Sequence, residues 1–497
     1  MTSTAVPGGV LPSVLADPAS PAHAPREPRS AADRALRWTV AVLLLTAPVW
    51  GLLLLSIWRS PFPISEAVAL FEDAASQPVS HFIVPDTPYY RPLYHLLLMA
   101  IWKGTPTLDL KLALVKLTHI LPVFVLVVAF VRHLRPRSAL DAALAVAAVA
   151  VLLGSPGLRD NLELPLTYTA VGMPAAVLVW RLLESPRRRW TSAAIIALTV
   201  LAVGFKEQGL VIVPIVILAA WMDAPGATRR LAAVMFVLTI GYLAVRLAFR
   251  SAWPLFEQSL GFGVAVIEPT EAVHRFGAFP LPMYAYNALA TMANVVAAEP
   301  SGGTFVITRD LLAGRPLPWE LVHVISSLGL SGLIAWWGRC ELRAVRRDGW
   351  TPERRAVVLL VLAVAACGAL SFNYSRDRLG GMAVPFYAGT GFLAMRWAAT
   401  CVIAAGWRVW RGGALALFVL ASGWELRAVG TLEWVRLTSE RSSREWLMDL
   451  PKRRREFAHR EVYLGIMESM VEQGTRPGAP HMLRIPSKLQ RTFLQRP

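Results

Sequence analysis

The chain has 497 residues, 55% of them hydrophobic and 17% charged, with a mean hydropathy of +0.47. That composition excludes a soluble multidomain protein, and the apolar residues fall in blocks separated by arginine-rich hinges, as in a polytopic membrane protein. The formal net charge of +17 sits largely in those hinges, where membrane topology explains it better than a phosphate-binding face, so no nucleic-acid partner is expected.

Residues 1–35 are rich in Ala, Pro and Ser without apolar periodicity and read as a disordered cytoplasmic tail. The next block, Leu36 to Trp58, exceeds a signal-peptide core and lacks a cleavage pattern, so it reads as an uncleaved anchor. Arg26, Arg29, Arg34 and Arg37 place its N-terminal side in the cytoplasm. A polar stretch from Ser60 to Leu108 follows, in which Glu66, Glu72, Asp73 and Asp86 precede Tyr89-Tyr90-Arg91-Pro92-Leu93. Further apolar blocks at roughly 109–131, 139–154, 168–183, 191–205, 209–222, 231–249, 320–338, 356–372, 381–398 and 412–430 approach the ~20 residues of a membrane-crossing helix.

The hinges fix the sides. Arg132/Arg135/Arg137, Arg187–Arg189, Arg229–Arg230, the Arg339–Arg355 segment and Arg408/Arg411 all become cytoplasmic when the N-terminus is inside. Two segments test that parity. Leu281 to Ala298 is apolar enough to span, but crossing would move six arginines outside, so it reads as an amphipathic helix on the outer surface. Thr191 to Asp223 reads as a hairpin with Lys206 and Glu207 at its outer tip, because basic hinges flank it on both sides. The expected fold is an all-α polytopic transmembrane helical bundle of about eleven spans: a transmembrane domain over 36–430 with outer loops 60–108 and 251–318, then a polar, extracytoplasmic tail over 431–497.

This topology gathers the first loop, Arg159-Asp160-Asn161-Leu162-Glu163, Lys206-Glu207-Gln208 and Asn373-Tyr374-Ser375-Arg376-Asp377-Arg378 on one side. No internal repeat of the kind common in secondary transporters shows in the hydropathy. Cys340, Cys367 and Cys401 have no metal-ligand or disulfide-framework spacing, and the histidines form no cluster. Neither a metal nor a cofactor is expected.

With its acidic first outer loop, Tyr90-Arg91-Pro92-Leu93 opening a surface helix that runs to Lys103-Gly104, and Lys206-Glu207-Gln208-Gly209 followed by Pro214, the chain resembles the GT-C class of integral-membrane glycosyltransferases, most closely the protein O-mannosyltransferases. The resemblance covers roughly the first 250 residues; Tyr374-Ser375-Arg376-Asp377-Arg378 before Pro385 is similar to the class's late arginine loop. It implies transfer of a sugar from a polyprenyl-phosphate donor on the extracytoplasmic side, to a cell-envelope or protein acceptor that the sequence does not identify. The class places a pair of acidic residues a few positions after the first span, where this chain reads Pro63-Ile64-Ser65-Glu66 and the pair Glu72-Asp73 comes later.

Glycosyl transfer to a hydroxyl needs a carboxylate to take the acceptor proton, because an alcohol is a weak nucleophile at neutral pH. Glu66 and Asp73 are the candidate catalytic residues. The leaving polyprenyl phosphate develops negative charge, which arginine grips in two places and lysine meets as a point charge. Tyr90, Arg91, Lys206, Glu207, Arg376 and Arg378 are the candidate substrate-binding residues. The same cations also suit a transporter or flippase of a lipid-linked or anionic solute, and the Ser65-Glu66 departure suits a catalytically silent membrane scaffold.

Overall fold

The computed structural model describes residues 29–83, 90–163, 170–248, 260–262, 265–277, 281–297, 303–315, 317–375, 377–405 and 407–494. Most of the expected N-terminal tail, residues 1–28, lies outside them, and α1 (Arg29–Arg59) already begins within its last part. Three short helices follow: α2 (Ile64–Ser76), α3 (Val79–Ile83) and α4 (Pro92–Gly104). Pro92 starts α4 because its fixed φ suits the first turn, where a missing N–H costs nothing. The helix expected to run to Lys103-Gly104 is thus present, and it buries Tyr94, Leu98, Ile101 and Trp102.

The longer helices begin and end on identifiable signals. α5 (Leu108–Leu134) opens on Thr107, whose Oγ1 accepts from the Leu110 N–H at 3.4 Å, and closes on Arg135 in the left-handed region at φ 50°. α6 (Ala139–Gly154) opens on Ser138, which accepts from the Asp141 N–H at 3.0 Å. At Ser155 the chain bends by 56° into α7 (Pro156–Glu163), because Pro156 has no N–H to continue the helix.

After α8 (Gly172–Leu183) and α9 (Thr191–Phe205), Lys206 is extended (φ −160°, ψ 140°), and a 3-10 turn, Glu207–Val211, leads into α10 (Ile212–Trp221). The reversal needs Gly209, where a Cβ would overlap the backbone of Ala202 and Val203. Gly226 N–H donates to Leu183 O at 2.9 Å, so the far end of α10 returns beside the end of α8. The expected hairpin is therefore present, with Lys206 at its tip.

α11 (Arg229–Ala248) precedes the long loop, whose described parts are β1 (Leu260–Phe262), β2 (Ala265–Ile267), α12 (Pro269–Phe276), α13 (Leu281–Val296) and α14 (Gly303–Leu312). α15 (Pro318–Asp348) ends at Gly349, whose φ of 73° turns the chain into α16 (Pro352–Leu370). β3 (Tyr374–Ser375) pairs in parallel with β1 (Gly261↔Tyr374), and β1 pairs antiparallel with β2 (Leu260↔Ile267). The strands were not legible in the sequence; they tie the long loop to the segment before Asp377. α13, expected as an amphipathic helix on the outer surface, packs along α16 and buries Met283, Asn287, Ala290, Thr291 and Asn294 on one helical face. The chain finishes with α17 (Val384–Ala404), α18 (Trp407–Glu456), α19 (Glu461–Thr475) and α20 (Ser487–Leu494).

Among the described residues four helices, α1, α5, α15 and α18, are long and apolar enough to cross a bilayer, or five if α6 and α7 form one bent span. The chain is an integral membrane protein of helical architecture. Eleven spans do not follow from helix length: α8, α9 and α10 fall short of the ~20 residues that one crossing takes.

The segment expected as a polar tail is built into the fold. α18 runs unbroken for 50 residues, well past the last expected span. Its end, with α19 and α20, meets α2 and α4 in a second apolar core of Phe62, Phe71, Tyr94, Trp102, Trp446, Tyr463 and Met467, separate from the core of the bundle. Trp446 Nε1 donates to Phe62 O at 2.7 Å, and Arg460 donates to both carboxylate oxygens of Glu72 from Nε and Nη2. A small capping domain thus covers one end of the bundle.

Candidate functional site

The two ends of the bundle are defined by contacts between helix termini. At one end, Arg355 at the start of α16 grips Glu184, just after α8, at 2.9 and 2.6 Å, and Arg181 reaches Arg132 O at the end of α5. At the opposite end stand the tip of the α9–α10 hairpin, α4, α7 and the 3-10 segment Asp377–Ala383. The acidic first loop, the Arg159–Glu163 segment, Lys206-Glu207 and Arg378 all belong to this second end, as the sequence reading expected.

Lys206 is its centre. The residue is only 7% exposed, and burial, then Arg378, then Arg91 hold its pKa well below the usual lysine range, while Glu207 and Glu66 act in the opposite direction. Four separate segments of the chain therefore bring Arg91, Lys206, Glu207, Arg378 and Glu66 within electrostatic reach of one another. Arg91 caps the start of α4, and its Nε lies 3.7 Å from Glu207 Oε2. Leu93 fixes the approach of α4 to α9, since its side chain fills the space beside Gly204. His95, one turn into α4, is pushed down to about 4 by burial and by the charges of Arg91 and His81, with Glu207 opposing, so it is neutral at neutral pH. The Tyr90 ring stands 6.2 Å from that of Tyr242 on α11, and burial raises its hydroxyl pKa.

Arg378 is placed through its backbone. Asp160 Oδ2 accepts from the Arg378 N–H at 2.9 Å, and Asn161 Nδ2 donates to Arg378 O at 3.1 Å. The two segments can approach this closely because Gly157 and Gly381 face each other; a Cβ on Gly157 would stand 3.0 Å from Gly381 N. Asp160 and Asn161 thus fix the position of a neighbouring cation. Arg376 and Tyr89 lie outside the described residues.

The acidic candidates separate. Glu66 acts on Lys206, so it belongs to the cation cluster. Asp73, on the same helix, stands among His81, Glu72 and Arg460; burial raises its pKa, with His81 and Arg460 pulling down and Glu72 pushing up. Glu72 is engaged by Arg460 in the capping domain. Of the two candidate bases, only Glu66 is brought to Lys206.

Two further buried cations were missed by the sequence reading, and both cap helix ends. Lys116 on α5 has no exposed surface and donates to Ile57 O at 3.0 Å and to Ser60 O, closing the C-terminus of α1. Arg427 on α18 donates to Gly154 O at 3.2 Å and to Ser327 Oγ at 2.6 Å, and lies 3.8 Å over Trp424. With Thr431, which donates to Leu153 O at 2.9 Å, it satisfies carbonyls that the α6–α7 bend releases. A lysine or arginine isolated in an apolar block was the only available signal for either.

Chemically, the Lys206 cluster can hold an anion: three cations face two carboxylates in a largely buried setting, which strengthens attraction to an incoming phosphate. Among the described residues no group of three or more His, Cys, Asp or Glu side chains is placed to hold a metal ion.

No family model matches the chain, and no curated protein matches it. Among solved structures it is similar to the crystal structure of ArnT from Cupriavidus metallidurans bound to undecaprenyl phosphate, with a TM-score of 0.40 and 15% identity, over 93% of this chain and 85% of that one. Likeness of that size assigns no activity, so function has to be argued from the cluster itself.

Proposed function

We propose that the chain is a GT-C-type membrane glycosyltransferase that moves a sugar from a polyprenyl-phosphate donor to an acceptor hydroxyl at the Lys206 end of the bundle. One observation carries this reading: Arg91, Lys206, Glu207, Arg378 and Glu66 arrive from four separate segments at one end of a membrane bundle. In this proposal that end faces the extracytoplasmic side, as the basic hinges of the other end require. A lipid-linked donor brings its phosphate to such a surface without leaving the membrane.

The carboxylate of Glu66 takes the acceptor proton as the oxygen attacks the anomeric carbon. The bond from that carbon to the donor phosphate breaks, and the negative charge growing on the phosphate is met by Arg91, Lys206 and Arg378. Lys206 suits this part because burial between two arginines weakens its hold on a proton until an anion arrives. An incoming phosphate opposes those causes and raises the lysine pKa again, so donor binding and protonation of Lys206 favour each other.

The test is sugar transfer by purified protein in detergent, using a panel of labelled polyprenyl-phosphate sugars with and without candidate acceptors. Release of labelled sugar that disappears in Glu66→Gln supports the proposal. Donor binding with no release from any member of the panel overturns it in favour of a transporter or scaffold, and solute flux in liposomes then separates those two.

A further inference from the structure

α13, α15, α16 and α17 enclose an open groove of ≈ 850 Å³. Its walls are apolar for most of their length, with Met292, Ile334, Leu360 and Val364 among the lining side chains. The two hydroxyls that reach it are already engaged: Ser331 Oγ donates to Val296 O at 2.6 Å, and Tyr387 OH donates to Ser327 O at 3.1 Å. A hydrocarbon chain matches these walls, whereas a polar solute would lose its hydration for little return.

One end of the groove is different. Arg339, Arg343 and Arg346 line it from α15 at spacings of four and three, which places them on one helical face. The carboxylates nearest in the chain are committed elsewhere: Glu341 and Asp348 pair with Arg354 at 3.3 and 2.8 Å, and Glu353 pairs with Arg396 at 3.5 Å. Among the described residues none of the three groove arginines forms an ion pair. An apolar channel closed by three such cations is complementary to an amphiphile with an anionic head.

We propose that this groove binds an anionic glycerophospholipid, with its phosphate held by Arg339, Arg343 and Arg346 and an acyl chain lying between α15 and α16. The site is at the end of the bundle that holds Glu184 and Arg355, opposite Lys206, so it is independent of the donor-binding reading. The headgroup end coincides with the Arg339–Arg355 hinge, whose charge also sets topology; a basic pocket between spans on that side is a physical match for acidic lipid.

The probe is phosphatidylglycerol, compared with phosphatidylcholine of the same acyl chains by native mass spectrometry of the full chain released from mixed nanodiscs. The expected result is one retained phosphatidylglycerol, favoured by at least about tenfold. Replacing all three arginines by Ala should erase the preference, and Ala335→Trp, which fills the groove wall while keeping the charges, should reduce retention of both lipids. The double variant Arg229→Ala/Arg230→Ala, at the same end but outside the groove, should leave the preference intact. Equal retention of the two lipids, an undiminished preference in the triple-arginine variant, undiminished retention in Ala335→Trp, or an equal loss of preference in the Arg229/Arg230 variant would overturn the proposal. Displacement of phosphatidylglycerol by an equimolar polyprenyl phosphate would do so too, since the groove would then belong to a prenyl chain.

Discussion

At the Glu184 end of the bundle, the buried arginines have carboxylates of their own. Arg355 has Glu184, and Arg354 has Glu341 and Asp348. At the Lys206 end, Arg91 and Arg378 crowd a lysine that is already buried, with Glu207 and Glu66 acting in the opposite direction. The contrast separates two uses of buried charge. A cation matched to a carboxylate fastens helices together; a set of cations pressed against one another raises the energy of the empty site and lowers it when an anion enters. Lys116 and Arg427 fall on the structural side of this division, because their donors are spent on helix-end carbonyls.

The largest effect is expected from Glu66. Glu66→Gln keeps the shape and removes the proton acceptor, so turnover should fall by roughly 10²–10⁴-fold with donor affinity nearly unchanged. Asp73→Asn should cost much less, since Asp73 stands with Glu72 and Arg460. Transfer kinetics and donor titration of the two variants decide this; the reverse ranking would move the base to α2's other end.

Next comes the opposite end of the molecule. Arg355→Ala leaves Glu184 as a partly buried carboxylate without its fork and should cost about 2–4 kcal/mol of stability, read as a lower melting temperature in detergent. Donor affinity, corrected for the folded fraction, should stay as it is. A variant that folds well yet binds donor poorly would break the division between the two ends.

Smaller again is the loss at the anion cluster. Arg91→Lys keeps the charge and loses the two-pronged grip, so donor binding should weaken by about 1–3 kcal/mol, and Lys206→Met should weaken it as well. Calorimetry in buffers of different ionisation enthalpy adds a sharper readout. Lys206 is held low in the empty site, so donor binding should take up protons, and this uptake should vanish in Lys206→Met. Donor affinity in the unaltered protein should correspondingly decline as pH rises. Unchanged affinity in both variants would remove these residues from phosphate recognition.

The sequence was most informative where one strong local signal decided the outcome. Pro92 marks the start of α4, the basic hinges on either side of Lys206 mark a hairpin, and the arginine hinges mark one end of the bundle. It was least informative where distant segments meet. Nothing local to Glu72 shows that Arg460 will take it, and nothing local to Glu433–Pro497 shows that Trp446 and Tyr463 complete a core begun by Phe62 and Phe71. The same holds for the bases: Glu66 and Asp73 lie on one short helix, and the partners that distinguish them, Lys206 and Arg460, are far away in the chain. Helix length misled in the other direction, because α18 continues well beyond its apolar part once α2 and α19 offer it something to pack against.

The last prediction concerns His95, the imidazole one turn from Arg91. Its pKa in the folded protein is about 4, against an ordinary value of 6.5, because burial and the charges of Arg91 and His81 disfavour the protonated ring. Between those two values the unfolded chain binds the proton and the folded chain does not, so stability is full above about 6.5 and is lost progressively as pH falls towards about 4. His95→Gln removes the titrating ring and should flatten that part of the profile. Melting temperatures of both proteins in detergent, from about pH 7.5 to about pH 4.5, make the comparison. Glu207 acts on His95 in the opposite direction, so Glu207→Gln should depress the imidazole further and steepen the same loss slightly. An unchanged or shallower profile in Glu207→Gln would mean that the Glu207 charge does not favour the protonated ring, and the cluster around Lys206 would then be looser than its electrostatics require.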